Sequence, residues 1–429
     1  MRAATRPVRT PLRRLRPLLA LLLLAAPGCG APPAEVDLVG RVESASGMPM
    51  SGVLVHAGGE LTTAATDGSF AIQGVRVPYT LTVASTAGDG WVHAFAGLTT
   101  ATPVVVPLRN EMPLVQATIS GDAWNGNPVP AGYRVSVCVE GLDFTVWGCD
   151  FADAGETSYI LTVDWSGGFA ANVRVHALYM AIDGSGRPTS YAGARALDAS
   201  VTSGGTTTVD LGPLLTIGTS PLVPITIDAG AGSVLGAVVA VRVGDRLVQS
   251  VYRGDSVGGS FDVRLPPATM TYRYQVTAWA VFPSGPLVFA WAVADSEAGI
   301  DLVIPPPPNL LEPANGALDV TPATSFRTAD TGAVARVFAW SPTGTTVGPD
   351  VMLTTAATTA TLPDLGVVGL SYPDGGTYAW NVLGLEAPDV AAAVATRYDL
   401  LSLIGLGGPG QFADGAIVPS ERRDLTLAP

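Results

Sequence analysis

Short runs of alternating apolar and polar residues follow one another along most of the chain after residue 35. Val, Thr, Leu, Tyr and Trp dominate these runs, and Gly, Pro, Asp, Ser and Asn interrupt them roughly every 8–12 residues, as in β-sandwiches. A period of two residues indicates strands with one buried and one solvated face. Only residues 387–403 favour a helix. The pattern predicts an all-β fold of tandem antiparallel β-sandwich domains.

The longest uncharged apolar run, Tyr274 to Ala294, is predicted to form two strands and a turn. The sequence Pro-Ser-Gly-Pro occupies positions 283–286 in its middle, where proline would break a helix. Each half of the run alternates with a period of two residues. The run is therefore not expected to span a membrane.

Three stretches share one order of features, which predicts three related sandwiches. In each, a Gly/Ser/Thr-rich turn precedes an aromatic residue that starts a strand, and a strongly alternating strand, an aromatic-bearing strand and a terminal strand follow. The starting aromatics are Phe70, Tyr159 and Phe261, spaced by 89 and 102 residues. This period is domain-sized and longer than that of solenoid repeats. With a stiff four-proline run as the clearest boundary, the predicted domains are 36–110, 111–213, 214–304 and, after a linker at 305–308, 309–429.

The first 28 residues have the pattern of an export signal. Six arginines precede a nine-residue apolar stretch, Leu18 to Ala26, which is too short to cross a bilayer as a helix of about 20 residues. The stretch leads into Ala26-Pro27-Gly28-Cys29, which resembles a bacterial lipobox. That resemblance implies a signal peptide at 1–28, lipidation of Cys29 and a lipidated tether at 29–35. An ordinary secretory signal followed by a chance cysteine is the alternative.

The residue after the predicted lipidation site is Gly30 and not Asp. By analogy with enteric sorting rules, this implies the outer membrane of a bacterial envelope, facing either the periplasm or the cell surface. The membrane is then a partner through the N-terminal lipid alone.

Cysteine usage agrees with export. If Cys29 is lipidated, Cys138 and Cys149 remain, and they flank a short segment with the pattern of strand, turn and strand. An even pair in an exported chain indicates a disulfide, which would stabilise the fold by roughly 2–3 kcal/mol. Two free thiols are the alternative.

Four short motifs mark the first predicted domain. They are a strand opening at Gly40-Arg41-Val42, a turn from Gly47 to Val53, the tight turn Thr66-Asp67-Gly68-Ser69-Phe70, and an alternating strand from Tyr79 to Val83. Residues 36–110 thereby resemble the carboxypeptidase regulatory-like domain. The resemblance implies a seven-stranded sandwich of transthyretin-like topology on an exported protein, with no catalytic residues of its own.

The last domain carries a different set of motifs, at 311–316, 324–326, 361–363 and 377–382, the last reading Thr-Tyr-Ala-Trp-Asn-Val. These pieces resemble a fibronectin type III domain over residues 309–385, which implies a further Ig-like sandwich. The tail from Gly407 to Pro429 is expected to return as an edge strand.

The charge balance excludes nucleic acid as a partner. The chain has a formal net charge of −13 and is 14% charged. Loss of six arginines with the signal peptide lowers the 23 basic residues to 17 against 36 acidic ones, so the net charge becomes −19. Nucleic acids and anionic membrane surfaces repel such a chain.

Two motifs match catalytic consensus sequences, but their sequence context does not fit the chemistry. Gly254-Asp255-Ser256-Val257-Gly258 matches GxSxG, but a strand pattern follows where a hydrolase needs a helix, so a polar hairpin turn is expected. The GxGxxG match at 405–410 includes Pro409, which has no amide to give a phosphate. The three histidines lie far apart in sequence. We expect no catalytic residues, no cofactor and no enzymatic activity.

Acidic residues gather around the two cysteines, at Glu140, Asp143, Asp150, Asp153 and Glu156. Carboxylates on loops could hold Ca²⁺, which makes Asp143, Asp150 and Asp153 weak candidate ligands. A solvated acidic face is the favoured interpretation, because no EF-hand-type string is present. We therefore expect no metal.

Trp124 and Trp147 are the least strand-like tryptophans, and they are the candidate ligand contacts. If loops present them, their rings could stack on sugars. The alternative is that they fill a sandwich core, as tryptophan usually does.

Together these features predict a string of four sandwiches held off the membrane by lipidated Cys29. The predicted function is that of a structural spacer or an adhesion and interaction arm, with an unidentified protein or polysaccharide as partner. A carbohydrate- or exopolymer-binding module is the alternative, and a hydrolase that uses Ser256 or a pair of carboxylates in a cleft is the least favoured interpretation.

Overall fold

Strands make up most of the chain that the structure, a computed structural model, describes. The first unit, Met1–Ala34, falls outside the described residues except for Ala34, so Cys29 and the signal peptide are not among them. The second unit is Glu35–Pro429. The described residues are 34–44, 47–107, 114–142, 146–166, 168–213, 215, 220–243, 246–255, 259–266, 272–283, 285–294, 299–386, 390–395, 408–409 and 415–429.

Module 1, defined by strands β1 to β7, is a sandwich of two sheets. One sheet has the order β4-β1-β7 and the other begins β3-β2-β5-β6. Strand β1 is antiparallel to β4 and parallel to β7. The strands are β1 Glu35–Val42, β2 Leu54–Ala57, β3 Glu60–Thr63, β4 Ser69–Arg76, β5 Tyr79–Ser85, β6 Trp91–Leu98 and β7 Val104–Val105.

Module 2, defined by strands β8 to β15, repeats this layout with one added strand. Its sheets have the orders β10-β12-β8-β15 and β11-β9-β13-β14. The strands are β8 Leu114–Asp122, β9 Tyr133–Gly141, β10 Val146–Trp147, β11 Cys149–Ala152, β12 Ser158–Ser166, β13 Ala170–Ile182, β14 Pro188–Thr202 and β15 Thr206–Thr208.

Module 3, defined by strands β16 to β22, repeats the layout again. Its sheets have the orders β19-β16-β22 and β18-β17-β20-β21. The strands are β16 Leu222–Asp228, β17 Ser233–Val243, β18 Arg246–Asp255, β19 Gly259–Arg264, β20 Tyr272–Val281, β21 Leu287–Ala294 and β22 Ile300–Val303. The three related sandwiches that the sequence predicts therefore share one strand order, and the 274–294 run forms two strands.

Module 4 comprises the elements from β23 onwards. A sheet β23-β25-β28 lies opposite strands β27, β26 and β29. Its helix lies within the stretch that favoured one. The elements are β23 Leu310–Glu312, β24 Ala317–Val320, β25 Phe326–Thr328, β26 Ala335–Pro342, β27 Asp350–Thr355, β28 Thr359–Ala360, a 3₁₀ turn Gly366–Val368, β29 Thr377–Glu386, α1 Val390–Ala395, β30 Gly408–Pro409, β31 Gly415–Pro419 and β32 Arg423–Leu427.

Three modules share one continuous sheet of fifteen described strands. Strand β6 of module 1 pairs in parallel with β27 of module 4, and β31 pairs with both β21 of module 3 and β29 of module 4. Module 1 therefore lies beside module 4, which differs from the linear string that the sequence suggested. Edge strands of sandwiches have free amides and carbonyls, and pairing with a neighbouring module satisfies them.

The tail also differs from expectation in part. Strand β32 pairs with β29 and β24, but β31 is an interior strand of the shared sheet and not an edge. Helix α1 packs Val394 into the core of module 1, and the Val394 carbonyl accepts a hydrogen bond from the Val106 amide. The last segment of the chain thus contacts modules 1 and 3 as well as its own module.

Each module keeps its own hydrophobic core. The core of module 3 also takes Leu178, Met180 and Tyr191 from module 2, and the Tyr191 hydroxyl donates to the Arg264 carbonyl at 2.8 Å. These contacts fix module 2 against module 3. Within the described residues, no helix is both long enough and apolar enough to cross a membrane.

Candidate functional site

The predicted disulfide is present. Cys138 on β9 and Cys149 on β11 stand directly opposite each other, with their Cα atoms 4.1 Å apart, and their sulfur atoms are bonded. Cys138 is fully buried in module 2. The bond therefore ties the edge strand β11 to the centre of its sheet.

The acidic residues near the disulfide do not gather into a metal site in the part of the chain that the structure describes. Asp153 pairs with Arg134, whose Nε donates to Asp153 Oδ1 at 2.6 Å. Asp150 is half-buried on β11, and Asp143 lies outside the described residues. The arrangement places an ion pair where the sequence offered a weak calcium candidate.

Trp124 is partly buried and does not project from its loop. Its ring meets the rings of Tyr133 and Tyr179 edge-on, with centroids 5.7 and 5.2 Å apart, and it packs on the core of module 2. Trp147 lies on strand β10, and its side chain is outside what the structure describes. Trp124 therefore lies closer to the core-filling alternative than to a ring presented by a loop, and its role as a ligand contact stays a prediction.

The two motifs that match catalytic consensus sequences lie partly on described strands and partly outside the described residues. Ser256 is outside the described residues, but β18 ends at Asp255 and β19 begins at Gly259, so a strand follows the GxSxG sequence. Gly408 and Pro409 of the GxGxxG sequence form β30, which pairs with β18. In the described part of the chain, the next element after each motif is a strand, β19 or β31, whereas the corresponding chemistry requires a helix.

The three histidines occupy three different settings. His93 is buried between modules 1 and 4, where its Nε2 lies 2.8 Å from Thr354 Oγ1. Burial lowers the pKa of His93 to about 3, because the charged imidazolium loses its solvation. His176 Nε2 lies 3.0 Å from Glu140 Oε2 on module 2. His56 is half-buried on β2 and lines a groove.

That groove is the candidate site. It has a volume of about 980 Å³ and lies where modules 1 and 4 meet. Its floor is a row of side chains across four neighbouring strands, His56, Thr82, Ala94 and Leu353, which are paired in register. We call this cavity the junction groove.

Polar groups from both modules line the walls of the junction groove. On module 1, Arg76 Nε donates to Glu35 Oε1 at 3.2 Å in an exposed ion pair. On module 4, Asp364 projects from the segment before the 3₁₀ turn, and its Oδ1 accepts from the Gly366 amide at 2.9 Å. Thr80 adds a second hydroxyl beside Thr82. The groove offers hydrogen-bond donors and acceptors together, with apolar surface between them.

Sequence reasoning missed this groove. Its lining residues lie far apart in the chain, on 35–96 and 353–367, and only the pairing of β6 with β27 brings them together. No motif in either segment indicates that pairing. The one available signal was His56, a polar residue on an alternating strand.

Comparisons with known proteins identify no family. No family model matches the chain, and no curated protein matches it. The resemblances to a carboxypeptidase regulatory-like domain and to a fibronectin type III domain therefore stay predictions about residues 36–110 and 309–385.

Three solved structures are similar to this chain at a low level. The FN1–FN3 domains of chicken CNTN1 have 11% identity and a TM-score of 0.18, with 71% of this chain and 100% of that chain covered. The tip fimbrial protein Mfa3 of Porphyromonas gingivalis has 11% identity and a TM-score of 0.16, with 42% and 78% covered. A tetra-tandem repeat from the extending region of a large adhesion protein has 13% identity and a TM-score of 0.15, with 92% and 99% covered. Similarity at this level says nothing about what the chain binds or does. Its own strand topology shows that the chain is an all-β protein of tandem β-sandwiches.

Proposed function

We propose that this chain is a non-enzymatic lipoprotein of the bacterial cell envelope, anchored through Cys29, that acts as an adhesion or interaction body. The observation that carries the proposal is the continuous sheet through modules 1, 3 and 4. Strand pairing between modules fixes their orientation, so loops from different modules are presented to a partner as one surface. Such a body suits adhesion better than it suits an extended spacer.

The envelope location rests on the lipobox-like sequence and on cysteine usage. The sequence Ala26-Pro27-Gly28-Cys29 supports lipidation, and Gly30 supports sorting to the outer membrane. The disulfide between Cys138 and Cys149 supports an oxidising compartment, because cytosolic thiols are kept reduced. Protease treatment of intact cells, described below, determines which side of the membrane the protein faces.

The proposal that the protein is not an enzyme is supported by local structure around its only serine motif of hydrolase type. Strand β19 follows the GxSxG sequence, whereas a nucleophile elbow needs a helix there to present the serine. We expect Ser256→Ala to leave every function of the protein unchanged.

Two measurements on cells test the proposal. Wild-type protein is expected to incorporate labelled fatty acid and to sediment with membranes, and Cys29→Ser is expected to lose both properties. The matched control, Cys138→Ser with Cys149→Ser, removes the other two cysteines and should keep the label. Labelling that persists in Cys29→Ser would overturn the anchor.

The adhesion role has its own readout. Cells that lack the protein should attach less to surfaces or to other cells, and wild-type protein should restore attachment while Cys29→Ser should not. Protease added to intact cells reports whether the body faces outwards. Equal attachment with and without the protein would overturn the adhesion role while leaving the anchor intact.

A further inference from the structure

We propose that the junction groove binds a neutral oligosaccharide. The groove is formed by side chains of modules 1 and 4 together, and its volume of about 980 Å³ lies in the upper part of the range for small-molecule sites, roughly 300–1,000 Å³. Sites of this kind occur preferentially where two domains meet. The proposal does not depend on the lipid anchor, so the two can fail separately.

Comparison with module 2 shows why the groove is open in module 1. Strands β9, β13 and β14 correspond to β2, β5 and β6, and the buried Val173 and Val175 correspond to Leu81 and Val83. The position between these two buried residues faces away from the core. In module 2 it is Arg174, which is paired with Asp198, and in module 1 it is Thr82, which is paired with Ala94.

Long side chains fill the row in module 2. Arg174 Nε donates to Asp198 Oδ1 at 2.6 Å, and Ser200 Oγ donates to Asn172 Oδ1 at 2.8 Å. The cavity left at this position is about 320 Å³. In module 1, Thr82 with Ala94 and Thr80 with Ala96 occupy the same two rows, and the volume is about three times larger. Short side chains on module 1 and a wall from module 4 thus create the site.

Two polar side chains in the floor have unused hydrogen-bonding capacity. Thr82 is only 6% exposed and lines the groove, and its hydroxyl bonds to no other residue that the structure describes. The imidazole of the adjacent His56 is likewise without a hydrogen bond to the described residues. Both side chains line the groove and are available to hydrogen-bond to a ligand in it. The floor therefore points to a ligand rich in hydrogen-bonding groups.

The mixture of groups favours sugars over other polar ligands. Hydroxyls and an imidazole both donate and accept, the guanidinium of Arg76 donates, and the carboxylates of Glu35 and Asp364 accept. Sugar hydroxyls need such a mixture. Between these groups, Ala94, Leu353 and other apolar side chains can contact the C–H faces of sugar rings.

Charge restricts the sugar to a neutral one. Two carboxylates and one guanidinium line the groove, and the whole chain has a net charge of −13. An anionic glycan or a nucleic acid would be repelled. A peptide is disfavoured for another reason: the floor strands β2, β5, β6 and β27 are all paired on both sides, so they offer no free strand edge.

The test is binding of neutral oligosaccharides to the full mature protein purified in detergent. Gluco-, xylo-, manno- and galacto-oligosaccharides are screened on an array, and hits are measured by calorimetry up to roughly 1 mM. Ala96→Trp, which fills the groove, is expected to weaken binding at least tenfold. Thr82→Val, which removes only the hydroxyl, is expected to weaken it roughly three- to tenfold.

The matched control is Ser200→Trp, because Ser200 occupies in module 2 the position that Ala96 occupies in module 1. This variant should bind as the wild type does, and circular dichroism checks that all variants are folded. Binding that survives Ala96→Trp would place the sugar elsewhere and overturn the site. A folded wild type that binds no neutral oligosaccharide, or binds only acidic glycans or peptides, would overturn the ligand class.

Discussion

His93 is a single polar residue that connects module 1 to module 4 through a buried hydrogen bond. Its ring stacks on Phe95, with centroids 4.0 Å apart, and its Nε2 meets the Thr354 hydroxyl across the boundary between β6 and β27. Both polar side chains are 2% exposed. The imidazole is therefore neutral in the folded protein, and its charged form would be buried between two modules.

The first prediction concerns the pH dependence of stability. Burial lowers the pKa of His93 to about 3, against about 6.5 in the unfolded chain. The neutral form is favoured by folding, so stability is full above about pH 6.5 and falls as the pH drops towards 3, by about 1.4 kcal/mol per pH unit from this group. Gln at position 93 can still bond to Thr354 but cannot titrate.

We therefore expect the stability difference between wild type and His93→Gln to shift by about 2–3 kcal/mol in favour of the variant between pH 7 and pH 4.5. Urea unfolding at the two pH values measures it. Parallel pH profiles for the two proteins would show that His93 does not titrate as a buried group.

The second prediction concerns Gly121 on β8, which lies opposite Tyr159. A Cβ atom at this position would run into the Val209 carbonyl oxygen, which also accepts a hydrogen bond from the Tyr159 hydroxyl at 2.7 Å. Gly121→Ala should therefore destabilise the protein by about 1–3 kcal/mol, the usual range for overpacking. Gly184→Ala is the control, because no atom lies within 4 Å of its added Cβ. Equal denaturation midpoints for the two variants would refute the steric explanation.

At the scale of elements, three corresponding edge strands have different neighbours. Strands β6 and β21 are each extended by a strand of module 4. On the edge of β14 that faces away from β13, the described residues form just one isolated bridge, between Ala194 and Leu215. The repeat therefore supplies equivalent edges, and module 4 supplies strands for two of them. The alternating pattern and the aromatic positions predicted the repeated sandwich, because residues on the buried face of a strand are apolar and recur with a period of two. They could not predict which edges pair, because every residue except proline presents the same backbone amide and carbonyl at a strand edge.

The disulfide is the element-scale feature with a measurable share of stability. Cys138 and Cys149 are separated by 11 residues, and a loop of this length is worth about 3 kcal/mol in the chain-entropy account. Cys138→Ala with Cys149→Ala should lower the free energy of unfolding by about 2–3 kcal/mol. A reducing agent should lower the stability of wild type by a similar amount and leave the double variant unchanged. Sensitivity of the double variant to reductant would contradict this assignment.

At the scale of the whole molecule, the sequence predicted the parts better than their arrangement. Phe70, Tyr159 and Phe261 identified corresponding strands in three modules, and the spacing of Cys138 and Cys149 identified their bond. The string-like order was wrong, because it depends on pairing between strands that are distant in sequence. The sequence left open whether Trp124 is presented by a loop or packs on a core, because its contact with Tyr179 joins residues that are distant in sequence. The junction groove belongs to the same class of features.

A cross-link tests the placement of module 1 beside module 4. Ala94 and Leu353 stand opposite each other on β6 and β27, and neighbouring strands bring Cα atoms within disulfide reach. Ala94→Cys with Leu353→Cys should form a disulfide in air, detected as a linked peptide by mass spectrometry. Ala94→Cys with Ser200→Cys joins strands that do not pair and should stay reduced. Failure of the first pair to oxidise, with the protein folded, would place β6 and β27 apart.

The pairing of β6 with β27 also determines how long the edge of β6 stays unpaired during biosynthesis. His93 and Thr354 are 261 residues apart. At about 5–20 residues per second, the ribosome takes roughly 10–50 s to make the second after the first. Throughout that interval β6 has β5 on one side and an open edge on the other, and open edges invite pairing with other chains. The open edge of β6 must therefore be prevented from pairing with other copies of the chain until module 4 has been synthesised.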